Sequence, residues 1–252
     1  EHVRRAIASL GIEYPVVLDA DFKIWQAYTN RYWPAKYFID VSGKLRAHHT
    51  GEGGYNESEQ ALQALISEQE GFTGPLPELM EPVRPEDETG AVCYRVTPEL
   101  YCGLGRGNIG NIMNIAPDQP STYTDHGKHV QGMLYYEGDW ILQTENAARP
   151  YGARRTSRMH LDYMGADLNL VLHPPITGET GILRVLIDGE PVGAIAGEDV
   201  KDGVVSIDSP RMYSLIRNAE VDQHTLTLET ESDGLAAFAF TFTSCVAPPP
   251  DA

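Results

Sequence analysis

Hydrophobic and polar residues follow a helical spacing in the first part of the chain and alternate in the remainder. Before residue 70, the pattern predicts helices at residues 2–10, 22–28 and 57–68. In the last of these, the apolar residues share one face, which is typical of a helix that packs on a sheet. Short apolar runs bounded by turn residues predict buried strands at Tyr14–Asp19 and Lys36–Asp40, with a further strand at 44–49.

From Ala91 onward the helical spacing stops, and short alternating runs separated by Gly, Asp and Pro take its place. Asp188-Gly189 lies between two apolar runs and predicts a tight hairpin. Such a succession of short strands is typical of an antiparallel β-sandwich. The predicted strands are Met133–Tyr136, Trp140–Glu145, Arg158–Tyr163, Leu168–Leu172, Gly181–Ile187, Val204–Ile207, His224–Glu229 and Ala236–Thr243.

The two patterns are separated by a Pro-rich stretch at 71–90, which predicts an extended linker. We therefore expect an α/β unit at 1–70 and an all-β unit at 91–246. The Pro-rich end, 247–252, is predicted to be disordered. At 252 residues the chain is long enough for two small domains.

The stretch Asn30–Asp40 carries a family resemblance, together with the segments around it. It contains Trp33-Pro34, and Pro34 restricts Trp33 to extended backbone. With Tyr14–Asp19, Ile24–Tyr28, Gly43–Arg46 and Gly51–Tyr55, it resembles the second half of thioredoxin-like redoxins of the TlpA and DipZ type. The resemblance implies a partial thioredoxin-like fold with thiol–disulfide exchange as its activity. It also implies a cis bond at Trp33-Pro34, and a groove for a partner thiol or disulfide formed by Trp33 and Pro34.

The second unit resembles the C-terminal module of the DipZ-type proteins, a jelly-roll-like β-sandwich similar to carbohydrate-binding modules. The residues that carry this resemblance are Thr97–Gly103 with Arg106, Gly138–Trp140, Asn169–Leu172, Asp188-Gly189 and Phe238–Phe242. The resemblance also implies an extracytoplasmic location, periplasmic or at the cell surface.

The chain departs from the redoxin pattern in its cysteines. The family carries a Cys-x-x-Cys motif on a helix upstream of these segments, whereas Cys93, Cys102 and Cys245 form no such motif. We therefore expect no catalytic residue in this chain. A Cys-x-x-Cys in residues upstream of Glu1, on a segment that could be linked to a membrane, would favour the oxidoreductase function, and the sequence leaves this open. If the two ends of the β unit pair, Cys93 and Cys245 could form a disulfide, leaving Cys102 as the free thiol.

The missing half also leaves the predicted α/β unit without its central strand. Strands Tyr14–Asp19 and Lys36–Asp40 would lie on either side of that strand. We expect residues 1–70 not to close a sheet alone, so that a second copy, a strand-donating partner or an upstream segment completes it.

Composition excludes some classes of function. Acidic residues outnumber basic ones, 36 to 19, for a net charge of −17, which disfavours nucleic acid and anionic membranes. No apolar run approaches the roughly 18 residues of a membrane span. His48-His49 and His126-x-x-His129 lack metal-site spacing and are predicted to be solvated, and Gly105–Gly110 is predicted to be a flexible loop. We therefore expect no metal and no cofactor.

Aromatic residues of the β unit are candidates for a sugar-binding platform, because a ring face and a pyranose face lose water together. The candidates are Tyr101, Tyr135, Tyr136, Trp140, Tyr151 and Tyr163. For Trp140 a core position is favoured, and Tyr135 and Tyr136 should point to opposite faces of their strand, with one of them exposed. The ligand expected is a neutral or basic glycan. Two functions thus remain open beside a degenerate glycan-processing enzyme: a thiol–disulfide oxidoreductase, and a non-catalytic module that binds a glycan or a protein.

Overall fold

The computed structural model describes residues 2–82, 92–112 and 116–246, and the chain divides into units Glu1–Val83 and Arg84–Ala252. The division falls inside the predicted linker, 71–90. Most of the regular structure is β, with few helices, as the sequence predicts. The predicted disordered end, 247–252, lies outside the described residues.

The first unit contains three helices and one β-hairpin. The helices are α1 (His2–Ser9), α2 (Lys23–Ala27) and α3 (Tyr55–Ser67), and the strands are β1 (Ala35–Ile39) and β2 (Leu45–Thr50). The two strands pair antiparallel, with Ala35 opposite Thr50 and Phe38 opposite Ala47. Each end of these five elements lies within two residues of its predicted position.

The strand predicted at Tyr14–Asp19 is wrong. This segment has no regular structure, and Tyr14, Val16, Val17 and Leu18 are exposed. The apolar run fits a buried strand, but a strand forms only when a neighbour takes up its backbone donors and acceptors. The sheet of this unit has β1 and β2 alone within the described residues, so the segment has nothing to pair with.

The second unit consists of strands β3 to β15 and contains no helix in its described part. They are β3 (Val92–Cys93), β4 (Leu100–Tyr101), β5 (Ser121–Tyr123), β6 (Leu134–Leu142), β7 (Ala147–Ala148), β8 (Ser157–His173), β9 (Gly181–Ile187), β10 (Glu190–Pro191), β11 (Val200–Lys201), β12 (Val204–Ile207), β13 (Arg211–Thr230), β14 (Ala236–Phe242) and β15 (Cys245–Val246).

Eleven of these strands form one sheet. Nine of them follow one another in the order β11-β12-β9-β13-β8-β14-β7-β6-β5. Strand β10 pairs with β9 and β4 pairs with β14 beside this path, while β15 and β3 form a separate pair. The predicted hairpin at Asp188-Gly189 joins β9 and β10, and both residues have the positive φ of 54° and 85° that this turn requires.

The strands are longer than the sequence predicts, because two predicted breaks lie inside continuous strands. Gly138 was expected to separate two strands but lies within β6 at φ 79°. A Cβ atom there would lie 2.2 Å from the carbonyl oxygen of Thr156, so a glycine is required for close approach between chains. Likewise, β8 joins two predicted strands through Gly165.

The core follows from alternation along these strands. In β6 and β8, every second residue faces inward, and the buried set includes Tyr136, Trp140, Leu142, Leu161 and Tyr163. Burying each large apolar side chain stabilises the fold by about 1.5–3 kcal/mol. Residues from β12 and β9 at one end of the sheet and β6 at the other belong to the same buried cluster.

A disulfide links the ends of the second unit. Cys93 of β3 lies opposite Cys245 of β15 and is bonded to it, across a sequence separation of 152 residues. In the chain-entropy model a closed loop of this length stabilises a fold by about 4–5 kcal/mol. Cys102 is free and buried. The two ends of the unit do pair, so the disulfide that the sequence leaves open is present in the structure.

The unpaired segment gives the first prediction. In the monomeric chain, we expect the amides of Val16, Val17 and Leu18 to exchange at nearly unprotected rates, because no strand accepts their hydrogen bonds. Hydrogen exchange read by mass spectrometry, with β1 as the internal reference, measures this. Protection of residues 16–18 equal to that of β1, in a sample shown to be monomeric, would contradict it.

Candidate functional site

Trp33 and Pro34 lie at the entrance to β1, where the resemblance predicts a partner-binding groove. The peptide bond between them is cis, as expected. Both residues are exposed, and 68% of Trp33 is accessible to solvent. The carbonyl oxygen of Pro34 accepts a hydrogen bond from the amide of Gly51 at 2.9 Å, which ties this entrance to the end of β2.

Trp33 packs on an aromatic shelf formed with Phe22 and Trp25. The ring centroids of Trp25 and Trp33 lie 4.4 Å apart, and Phe22 lies 6.2 Å from each of them. Tilted and edge-on packing of this kind stabilises aromatic pairs beyond the area that they bury. The shelf therefore holds one face of Trp33 in place while leaving much of its surface accessible.

Asp19 fixes the position of Trp25. Its carboxylate accepts hydrogen bonds from the amides of Ile24 and Trp25, at 2.9 and 2.8 Å, in the first turn of α2. These two hydrogen bonds lower the pKa of Asp19. An ionised carboxylate at the start of the helix satisfies amides that have no partner within the helix.

Asn30 connects the same loop to β1. Its side-chain oxygen accepts hydrogen bonds from the amide of Arg31 at 3.0 Å and from the hydroxyl of Tyr37 at 2.9 Å. The ring of Tyr37 in turn lies 5.0 Å from that of Tyr28. Side chains on both sides of Trp33-Pro34 are thus anchored, so this surface can hold a partner but carries no reactive group of its own.

The thiols of the chain lie in the second unit. Cys93 and Cys245 are joined, and Cys102 is completely buried. Burial raises the pKa of the Cys102 thiol far above its ordinary value, because a thiolate there would lose its hydration. Cys102 is therefore suited to packing rather than to nucleophilic attack.

Four of the six platform candidates do not have an exposed ring. Tyr136, Trp140 and Tyr163 are fully buried, because they occupy inward positions of β6 and β8, so a platform role is wrong for them and the favoured core position of Trp140 is confirmed. Tyr135 points to the other face of β6 but is only 7% exposed, which contradicts the expectation that one of the two tyrosines is free.

Tyr135 is covered by the loop that contains His129. Its ring centroid lies 4.6 Å from that of His129, and its hydroxyl accepts a hydrogen bond from the amide of Val130 at 3.0 Å. His129 also stacks on His160 at 5.4 Å and contacts Asp125 at 3.0 Å. The prediction of a solvated histidine is thus wrong for His129, although His126 is exposed as expected.

Metal ligation finds no support at these histidines. Within residues 2–82, 92–112 and 116–246, no group of three or more His, Cys, Asp or Glu side chains is placed to hold a metal ion. No helix in the described parts of the chain is long and apolar enough to cross a membrane.

Tyr101 retains a partly accessible ring, but another side chain occupies one face of it. The guanidinium of Arg106 lies 3.7 Å from the ring centroid. The hydroxyl donates a hydrogen bond to Glu99 at 2.5 Å, and this bond raises the pKa of Tyr101. A cation already stacked on the ring leaves less of it for a sugar.

Tyr151 is the candidate that matches the predicted platform, with 54% of its surface accessible. It borders a surface cleft of about 400 Å³, which we call the Tyr151 cleft. The cleft is formed by β5, β6 and the loop that precedes β8. Its polar lining residues are Ser121, Thr122, Asp139, Arg154 and Arg155.

Arg149 holds the loop that carries Tyr151. It is only 5% exposed and pairs with Asp233, while its guanidinium also donates hydrogen bonds to the carbonyl oxygens of Ala153 and Arg155, each at 3.2 Å. The other carboxylate oxygen of Asp233 accepts a hydrogen bond from the amide of Gly152 at 2.7 Å. Sequence patterns gave no signal for this arrangement, because Arg149 and Asp233 are 84 residues apart.

The buried ion pair gives a stability prediction. Asp233→Asn removes the counter-charge of a buried guanidinium, and we expect it to lower the free energy of unfolding by about 2–3 kcal/mol. Glu198→Gln is the control, because Glu198 lies 3.9 Å from Arg217, their side chains are 80% and 57% exposed, and loss of this contact should cost less than about 1 kcal/mol. Urea denaturation measures both. Equal effects of the two substitutions would show that Arg149 does not depend on its partner.

Comparison with known proteins adds the family. The family described as "Thioredoxin like C-terminal domain" matches residues 97–243, most of the second unit. Protein DipZ of Mycobacterium tuberculosis and that of Mycobacterium bovis are each 30% identical over 96% of this chain, which spans 31% of their length. The thiol-disulfide oxidoreductase YkuV of Bacillus subtilis is 29% identical over 27% of this chain and 46% of its own.

A solved carbohydrate esterase of family two from Clostridium thermocellum, in complex with cellohexaose, covers 45% of this chain and 30% of its own, at 17% identity and a TM-score of 0.29. That score is too low to bear on fold or function. The match of the family model does not depend on it, since it extends over more than half of the sequence. By this match, the chain belongs to the family of the thioredoxin-like C-terminal domain, and its relatives include DipZ and the thiol-disulfide oxidoreductase YkuV.

Proposed function

We propose that this chain belongs to an extracytoplasmic thiol–disulfide oxidoreductase and supplies its partner-binding surface rather than its reactive thiol. The observation that carries the proposal is that Trp33 and Pro34 are exposed while the ring of Trp33 packs against that of Trp25. An apolar, anchored surface at the edge of a hairpin suits an extended polypeptide, whose side chains pack on the rings while its backbone lies along the strand.

The three cysteines support the second half of this proposal. Exchange of the thioredoxin kind needs an accessible thiolate with a depressed pKa and a resolving thiol beside it. Cys93 and Cys245 are consumed in a disulfide, and Cys102 is buried with a raised pKa. We propose that the attacking sulfur comes from a Cys-x-x-Cys segment outside this chain.

The Cys93–Cys245 disulfide supports the proposed location. Structural disulfides form and persist in oxidising compartments and are rare in the cytosol. A bond that closes a loop of this length fits a protein that works in the periplasm or at the cell surface.

The exposed segment Tyr14–Leu18 supports the need for a further strand. We propose that it pairs with a segment supplied by upstream residues, by a second copy or by a partner chain. Its apolar side chains are exposed here, although their spacing suits a buried strand. Pairing would satisfy the backbone and cover these side chains in one step.

A second candidate function is glycan binding by the second unit, which we propose to be a jelly-roll-like sandwich similar to carbohydrate-binding modules. The observation that favours it is the exposed ring of Tyr151 beside a polar cleft. An exposed aromatic next to hydroxyl and carboxylate groups has the composition of a sugar site. Among the described residues that line the cleft, Asp139 is the only carboxylate, so we propose binding rather than hydrolysis.

The absence of an accessible thiolate predicts that this chain alone does not reduce insulin in the presence of dithiothreitol. The turbidity assay should show the dithiothreitol background, and thioredoxin serves as the positive control. A rate above background that is lost on Cys102→Ser would place the chemistry at Cys102 and overturn the proposal.

Partner binding gives a separate prediction. Trp33→Ala should weaken binding of S-carboxymethylated insulin B chain by about 10-fold or more, because a central aromatic anchor typically contributes more than 1 kcal/mol. Tyr151→Ala, which removes an exposed aromatic of the other unit, should leave this affinity unchanged. Titration followed by NMR measures both. Equal affinities for the parent chain and Trp33→Ala would show that the shelf does not bind the partner.

A further inference from the structure

The Tyr151 cleft presents a rigid aromatic ring. Around its hydroxyl, the backbone of Gly234 approaches so closely that a Cβ atom there would lie 2.3 Å from that oxygen. The loop that carries Tyr151 is held by Arg149, which donates to the carbonyl oxygen of Ala153, and by Asp233, which accepts a hydrogen bond from the amide of Gly152. Because the loop that carries this ring is already ordered, ligand binding costs little additional conformational entropy.

One wall of the cleft offers hydrogen-bond acceptors and hydroxyls. The carboxylate of Asp139 accepts hydrogen bonds from the hydroxyl of Thr122 at 2.7 Å and from the amide of Arg154 at 3.3 Å. The Thr122 hydroxyl, followed by backbone amides, lowers the pKa of Asp139, so this carboxylate is ionised at neutral pH. Each carboxylate oxygen can accept a further hydrogen bond, which suits a pair of neighbouring ligand hydroxyls.

The cleft also carries positive charge. Arg154 and Arg155 are adjacent and exposed, and neither guanidinium forms an ion pair within the described residues. The chain as a whole has a net charge of −17, so these two cations make the cleft locally unlike the rest of the protein. A guanidinium matches a carboxylate with two parallel hydrogen bonds.

These three features select one class of ligand. The ring of Tyr151 suits the apolar face of a pyranose, Asp139 suits its hydroxyls, and the two arginines suit an anionic substituent. A free phosphate has no flat apolar face to lie on Tyr151 and no neighbouring hydroxyls to donate hydrogen bonds to Asp139. The combination therefore favours a sugar acid over a free phosphate.

We infer that the Tyr151 cleft binds an acidic glycan that contains a uronate-type ring. The ring lies on Tyr151, and its hydroxyls donate hydrogen bonds to Asp139. Its carboxylate faces Arg154 and Arg155. This inference rests on the proposed glycan binding of the second unit and specifies its site and ligand class. It departs from the neutral or basic glycan that we expect from the sequence, because two arginines and one aspartate are the charged residues that line the cleft.

The test uses two ligands of the same sugar backbone, trigalacturonate and its methyl ester, in which methylation removes the negative charge. Calorimetry on the full chain at low salt should give an affinity about 10-fold higher for the acid than for the ester, a difference of about 1.4 kcal/mol. Arg154→Ala/Arg155→Ala should abolish this preference. Arg4→Ala/Arg5→Ala, which removes the same charge from an exposed pair on α1, should leave it intact. Tyr151→Ala should weaken both ligands.

The outcomes separate the inference from the proposal on which it rests. Equal binding of acid and ester would leave glycan binding standing and overturn the acid preference. Absence of binding to either ligand at millimolar concentration would overturn both. Binding of inorganic phosphate or adenosine monophosphate as tight as that of trigalacturonate would show a general anion site and overturn the sugar-acid inference.

Discussion

The organisation of this chain depends on where backbone hydrogen-bonding groups find partners. In the second unit, eleven strands share a sheet and their inward side chains form one buried cluster. In the described part of the first unit, one hairpin is the only sheet, and the apolar segment Tyr14–Leu18 has no regular structure. A two-stranded sheet is marginal in water unless further strands or helices cover it. We therefore propose that a further segment completes the first unit, whereas the strands of the second unit pair with one another.

The sheet and core of the second unit can support the site that we propose on its surface. The Cys93–Cys245 bond joins its two ends, and the core keeps Trp140 and Tyr136 inside. A rigid sheet then allows one buried arginine, Arg149, to fix a loop that would otherwise be free. Binding residues on loops held by a stable scaffold are a common solution, because the scaffold meets the cost of order in advance.

Sequence patterns predicted most elements of the first unit and the hairpin at Asp188-Gly189, and the family resemblance implied the cis bond at Trp33-Pro34. The sequence leaves the Cys93–Cys245 pair open, because it depends on whether the two ends of the unit meet. It failed where tertiary contacts override local pattern. Gly138 resembles a turn residue, yet it lies inside β6 because another backbone approaches it. Tyr135 occupies the outward position that alternation predicts, but a loop folds over it through His129 and Val130. The pairing of Arg149 with Asp233 connects segments distant in sequence and has no local signature.

The central claim is that the chain joins one self-sufficient unit to one that needs a further segment. Its tryptophans allow the two to be observed separately, since Trp25 and Trp33 lie in the first unit and Trp140 in the second. Urea unfolding followed by fluorescence in Trp140→Phe reports the first unit, and in Trp25→Phe/Trp33→Phe it reports the second. The account predicts a broad transition at low urea for the first unit and a sharp one at clearly higher urea for the second. Coincident, equally sharp transitions would contradict it.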